Sequence, residues 1–118
     1  MEEIFIECSP GVSGDMLLGA FYDLGVPQFI IEKPLIDMGL ENLYSLNFQE
    51  SKSCSIRGMK VDVKNLDQSV ERTWRHIKKL ILKSKLDKLL QKKVYKVFES
   101  LAVAESKVHG IDIEDVHF

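Results

Sequence analysis

The chemistry-bearing side chains of this chain are few, so their placement is informative. There are three histidines, His76, His109 and His117, all in the C-terminal half. Imidazole suits divalent nickel and zinc, which makes His109 and His117 the candidate metal ligands. They stand either side of Gly110. A site needs three or four donors, and this pair supplies two. His109 reads equally well as a cation at a helix C-terminus. His117 reads as a strand residue, and His76, inside a run of bases, as a surface residue. A second candidate is the stretch Gly11-Val12-Ser13-Gly14-Asp15-Met16. Its glycines permit close backbone approach, Ser13 is a good N-cap, and Asp15 complements a helix dipole. Open N–H groups there can receive an anion, so Gly11, Ser13, Gly14 and Asp15 are the candidate cofactor-binding residues. The competing reading is a well-capped turn. The stretch is neither a P-loop nor a dinucleotide fingerprint. Cys8 reads as a buried small hydrophobe, or as a thiolate favoured by the nearby helix start. No Ser-His-Asp or Cys-His set can be assembled, so the catalytic residues stay unassigned.

These groups must be held by regular elements. Ile4, Ile6 and Cys8 alternate with Phe5 and Glu7, which predicts a first strand. Met16, Leu17, Ala20, Phe21 and Leu24 then form one helical stripe, closed by Gly25 and Pro27. A poorer helix is expected over about residues 28–38, restarted or kinked at Pro34 and closed by Gly39. From Asn42 to Asn65 the period changes to two. Tyr44, Leu46 and Phe48 mark one antiparallel strand, and Met59, Val61 and Val63 another, joined by a polar connection from Glu50 to Arg57 that is longer than a tight turn. Val70, Trp74, Ile77 and Ile81 share one face of the next helix. Leu86, Leu90, Val94, Val97, Leu101, Ala104 and Val108 form a near-heptad seam on a long last helix that Gly110 stops. The order β-α-α-β-β-α-α predicts an α+β fold, with a small, mostly antiparallel sheet covered by helices and a long C-terminal helix. Residues 1–118 read as a single α+β domain.

Composition narrows the function classes. The chain has 118 residues, 45% hydrophobic and 29% charged, and no apolar run near the roughly 18 residues of a membrane span. With two cysteines, Cys8 and Cys54, and no secretory leader, reduced thiols and a cytoplasmic setting are expected. The net charge of −2 conceals segregation. Ten bases and one acid fall within residues 72–96, whereas residues 1–71 hold twelve acids and five bases. That segment can face nucleotide phosphates, an acidic partner or nucleic acid, or it can be a solvated face complementing the acidic first half. Sparse aromatics and the lack of a recognised motif argue against nucleic acid.

Several stretches together resemble one family. They are Glu7-Cys8-Ser9-Pro10-Gly11-Val12-Ser13-Gly14-Asp15-Met16-Leu17-Leu18-Gly19-Ala20, Asp23-Leu24-Gly25-Val26-Pro27, Ile56-Arg57-Gly58-Met59-Lys60-Val61-Asp62-Val63, and Leu101-Ala102-Val103-Ala104-Glu105-Ser106-Lys107-Val108-His109-Gly110 with Val116-His117-Phe118. In this order they resemble the N-terminal region of LarC-type nickel-insertion proteins. The resemblance implies insertion of nickel into the pyridinium bisthiocarboxylate mononucleotide cofactor of lactate racemase, a CTP-dependent cyclometallase (lyase) activity. It also implies that CTP and divalent metal are bound chiefly by a second part of the family protein. The chain departs from the pattern at Glu71 and His76, in the short histidine-free join from Lys64 to Ser69, and in ending at Phe118. It is therefore expected to be an N-terminal fragment that serves as a binding and scaffold part, not as an autonomous catalyst. The expected partners are the mononucleotide precursor and the C-terminal part of the same family protein. The alternative is a non-catalytic helical assembly module whose long helix, residues 86–108, packs against itself as a homo-oligomer or against the missing part of the protein. A nucleic-acid-binding domain is the weaker third reading.

Overall fold

The computed structural model describes residues 3–67 and 72–118. The chain forms two compact units, Met1–Ile31 with Ser45–Lys64, and Glu32–Tyr44 with Asn65–Phe118. Its elements in order are α1 (Gly14–Asp23), α2 (Gln28–Asp37), β1 (Tyr44–Ser53), β2 (Ile56–Asn65), α3 (Trp74–Lys83) and α4 (Lys88–His109), followed by a single 3-10 turn at Ile113–Asp115. The α+β class, the two-stranded sheet and the long last helix agree with the sequence pattern.

In the first unit α1 packs on the β1–β2 hairpin. Gly19 is the contact point, since a Cβ placed there would lie 2.6 Å from the Met59 carbonyl oxygen. A methyl group at that position cannot be accommodated without backbone movement, which is why glycine stands there. Tyr22 stacks on Phe48 at 4.2 Å between ring centroids. The Arg57 guanidinium holds both Asp23 (2.8 Å) and Glu50 (2.8 Å), tying helix and hairpin together at the exposed end. Gly25 takes φ +93°, and the Val26 N–H donates to Phe21 C=O at 3.0 Å. This is the left-handed stop expected for α1.

Two expectations fail in this unit. Residues 4–8 are not a strand. The sheet has only β1 and β2 among the described residues, and Ile4, Phe5 and Ile6 are largely exposed. Alternation shows that a segment can be a strand, but a strand also needs a neighbouring edge to pair with. The hairpin connection is tight, not long. Cys54 and Ser55 alone join the strands. Both take positive φ, 49° at Cys54 and 66° at Ser55. Positive φ at both central positions suits the twist of a two-residue hairpin. No Asn-Gly or Asp-Gly pair announces it, so residues 50–57 pass for a polar loop.

The second unit is built on α3 and α4. Trp74, Ile77, Ile81, Ala102 and Val116 form its buried core, with Met38, Val94, Tyr95, Phe98 and Ile113 packed around them. The tail belongs to this core. The Trp74 N–H donates to Val116 C=O at 2.8 Å, the Phe118 N–H to Arg72 C=O at 3.1 Å, and Thr73 forms an antiparallel bridge with His117. Val70, aligned with Trp74 on periodicity, lies outside the described residues. Pro34 neither ends nor restarts α2. Lacking an N–H, it leaves the Ile30 carbonyl without its helical donor. The Met38 N–H still reaches Pro34 C=O at 3.1 Å. Asp87 caps α4 as an N-cap acid should, accepting from the Leu89 N–H (2.9 Å) and the Leu90 N–H (3.3 Å). Gly110 closes the helix at φ 64°.

The long helix α4 carries two stripes, about 100° apart on the helical wheel, one buried and one apolar but exposed. One, through Gln91, Val94, Tyr95, Phe98 and Ala102, faces the core. The other holds the heptad seam apart from Val94, which packs on the core, and Leu86, which is buried ahead of the helix; it faces solvent, with Leu90, Val97, Leu101 and Val108 exposed at 37%, 68%, 45% and 78%. The two stripes should respond differently to substitution. Ala102 is fully buried, so Ala102→Leu overpacks its site and is expected to cost about 1–3 kcal/mol. Val97→Lys should change stability by less than about 0.5 kcal/mol. Thermal or urea unfolding of the two variants checks this.

Candidate functional site

The Gly11–Asp15 stretch forms the expected bend into α1. The Gly11 N–H closes a turn onto Cys8 C=O at 2.8 Å, and Gly11 takes φ +93°. Ser13 is the N-cap residue but makes no side-chain cap bond. Its hydroxyl donates instead to Asp15 Oδ1. That hydroxyl, and after it the Met16 N–H, hold the Asp15 carboxyl below its ordinary value, with the Lys60 charge contributing in the same sense. Donors to the ionised form always act in this direction. The positive end of α1 thus carries an exposed carboxylate of its own chain, the dipole complement expected of Asp15. Cys8 is exposed rather than buried, as is Cys54, and both are free.

The histidines fall in the second unit. His109 lies in the last turn of α4, with Nε2 3.1 Å from Glu105 Oε2 one turn back. His117 sits on the bridge to Thr73. His76 Nδ1 is 2.9 Å from Thr73 Oγ1. Among the described residues no three His, Cys, Asp or Glu side chains converge as a metal site.

A site that sequence reasoning did not single out lies on the outer face of α3. A cleft of about 660 Å³ runs between that face and the chain that follows α2. This is within the size range of small-molecule pockets. Bases line it: Arg72, His76, Lys79, Lys83 and Lys85. Ile36, Met38 and Leu80 supply an apolar part. The cleft is braced at its ends. The Lys85 N–H donates to Asp37 C=O at 2.8 Å, and Arg72 pairs with Asp67 at 2.8 Å. The bases of residues 72–96 divide accordingly. Arg75 pairs with Glu114 (3.8 Å) and Asp115 (3.5 Å), and Lys78 with Glu114. Lys79, Lys83 and Lys85 have no carboxylate partner among the described residues. The sequence signal was present in the spacing His76-x-x-Lys79-x-x-x-Lys83, which places three bases on one helical face.

With the geometry in place, comparison with known proteins decides the family. A family model described as nickel insertion protein matches residues 4–118. The chain belongs to the nickel-insertion protein family. A protein of Synechococcus sp. (strain JA-3-3Ab), provisionally named a nickel insertion protein, is 40% identical over 119 residues, covering 100% of this chain and 30% of the relative. One from Desulfotalea psychrophila, named in the same way, is 39% identical over 114 residues, covering 97% and 29%. The pyridinium-3,5-bisthiocarboxylic acid mononucleotide nickel insertion protein of Desulfitobacterium hafniense is 36% identical over 118 residues, covering 100% and 29%. The chain therefore spans about 30% of the length of these family members. No solved structure matches it. No helix among the described residues is long and apolar enough to cross a membrane.

The Ser13–Asp15 contact has a measurable consequence. In the Ser13→Ala variant the carboxyl loses its strongest stabilising donor, so the Asp15 midpoint should rise toward the ordinary value near 3.8. Any stability that this carboxylate contributes is present above the unfolded value and lost as pH falls through the lower folded one. The side-chain carboxyl ¹³C shift, followed from pH 2 to 6 in both proteins, checks the direction.

Proposed function

We propose that this chain is the N-terminal portion of a nickel-insertion protein that matures the nickel pincer cofactor of lactate racemase, acting as a binding and scaffold part. What supports this reading is a family match that runs through the chain yet accounts for only about 30% of its relatives' length. The name of the Desulfitobacterium hafniense relative points to the substrate, a pyridinium mononucleotide bearing two thiocarboxylic acids. In this reading CTP and the divalent metal that assists it are held by the remaining part of the protein. Nickel is cargo, and His109 and His117 are the imidazoles this chain can offer it. Each needs donors from elsewhere to complete a site.

The exposed stripe of α4 is proposed as the surface on which the remaining part packs. It presents four large apolar side chains along a helix of 22 residues whose neighbouring stripe is already committed to the core. Such an apolar ridge on a small unit is a common mark of an interaction surface. Self-pairing through residues 86–108 is the competing use of the same stripe.

Complementation tests the reading. The Desulfitobacterium hafniense protein would be produced without the part this chain matches, then mixed with this chain, the mononucleotide, Ni²⁺ and CTP. Nickel insertion, followed by the absorbance of the product, should appear in the mixture and in neither component alone. Full activity from this chain alone, or none in the mixture, would contradict the proposal. A stable dimer of this chain that excludes the added part would favour self-pairing.

A further inference from the structure

We propose that the basic cleft on the outer face of α3 receives a pyridinium mononucleotide, its phosphate and ring thiocarboxylates meeting Lys79, Lys83 and Lys85. The choice of ligand rests on the nickel-insertion reading, whereas the existence of an anion site rests on the cleft.

Three observations carry the argument. First, three bases converge on one cleft unspent, whereas Lys88, Lys92, Lys93 and Lys96 of α4, also unpaired among the described residues, line no part of it. Arg75 and Lys78 on the neighbouring side of α3 are engaged by Glu114 and Asp115, but the cleft lysines have no carboxylate partner among the described residues. Ammonium groups one helical turn apart repel each other, and an anion placed between them relieves that repulsion. Second, the cleft is not uniformly polar. Ile36, Met38 and Leu80 offer an apolar wall to a flat ring, which a free-phosphate site does not need. Third, one lining acid, Glu41, is engaged by no cation among the described residues, and its charge reaches Tyr44, raising that phenol's pKa after burial and Glu32. Of the other lining acids, Asp37 is held by Lys33 and Asp67 by Arg72, so a ligand with several negative groups and one fixed positive ring matches several unpaired lysines and one carboxylate. The Gly11–Asp15 loop has no such group of bases among the described residues, and its helix start already faces a carboxylate of its own, Asp15.

Nicotinate mononucleotide is a suitable probe, since it combines a pyridinium ring, a ring carboxylate and a phosphate. The experiment titrates it into the ¹⁵N-labelled full chain and follows the amides, with calorimetry alongside. Inorganic phosphate is titrated in parallel. Amides of residues 36–41 and 76–85 should shift. Lys79→Glu/Lys83→Glu should weaken binding by about tenfold or more. Both side chains are exposed, so the fold should persist, as circular dichroism would show. Lys93→Glu/Lys96→Glu makes the same change in net charge on exposed positions of α4, and it should leave affinity within about twofold. The proposal is overturned if the cleft amides stay still, if both double variants lose affinity equally, or if phosphate alone binds as tightly as the mononucleotide. A chain that complements nickel insertion while its cleft amides stay still would overturn the cleft and spare the functional reading. A cleft that binds the probe in a chain that fails to complement would overturn only that reading.

Discussion

The second unit hangs on Trp74. Its indole is 2% exposed and meets Tyr95 at 5.3 Å between centroids, while its backbone N–H is held by Val116. Burying a ring of this size is worth several kcal/mol, and truncating one to alanine commonly costs about 3–5 kcal/mol. More consequential is what the burial fixes. With Trp74, Ile77 and Ile81 turned inward, the rotation of α3 about its axis is set. Arg75 and Lys78 must then face the acidic turn at Glu114 and Asp115, while His76, Lys79 and Lys83 face outward into the cleft. One packing constraint thus divides a run of bases into a structural group and an available group.

The same constraint shows why so much was legible in the sequence, and where legibility stopped. Helix stops at Gly25, Gly39 and Gly110, all at positive φ, were readable because the left-handed conformation leaves few alternatives to glycine. The two-stranded sheet was readable from its period. The Cys54-Ser55 turn was not, because two non-glycine residues occupy positive φ where composition points elsewhere. Residues 4–8 alternate like a strand, yet pairing is a property of a neighbour, and no local pattern contains the neighbour. The tail from Ile113 to Phe118 has too little length for any periodicity to show, although Val116 is among the most buried residues. The cleft was hidden for a related reason. Its lysines were counted as part of a charge run, and within α3 only the rotation of the helix separates the paired Arg75 and Lys78 from Lys79 and Lys83.

The helix α4 joins fold to function. Its seam was legible as a heptad-like repeat, but a repeat does not say which partner it serves. Within the chain the partner is α3 and the tail, and they take the adjacent stripe instead. Leu90, Val97, Leu101 and Val108 are left facing solvent in a chain whose matched relatives are more than three times longer. In this account the unit offers a basic cleft on one helix for an anionic ligand and an apolar ridge on another for the rest of the protein.

The most direct measurement is a methyl NMR titration of this chain with the remaining part of the Desulfitobacterium hafniense relative. Leu, Ile and Val methyls report separately on the two stripes of the unit. The account predicts that the signals of Leu90, Val97, Leu101 and Val108 shift or broaden, while those of the buried Ile77, Ile81 and Val116 keep their positions. Binding that leaves the four ridge methyls unchanged, or no binding at all, would contradict it.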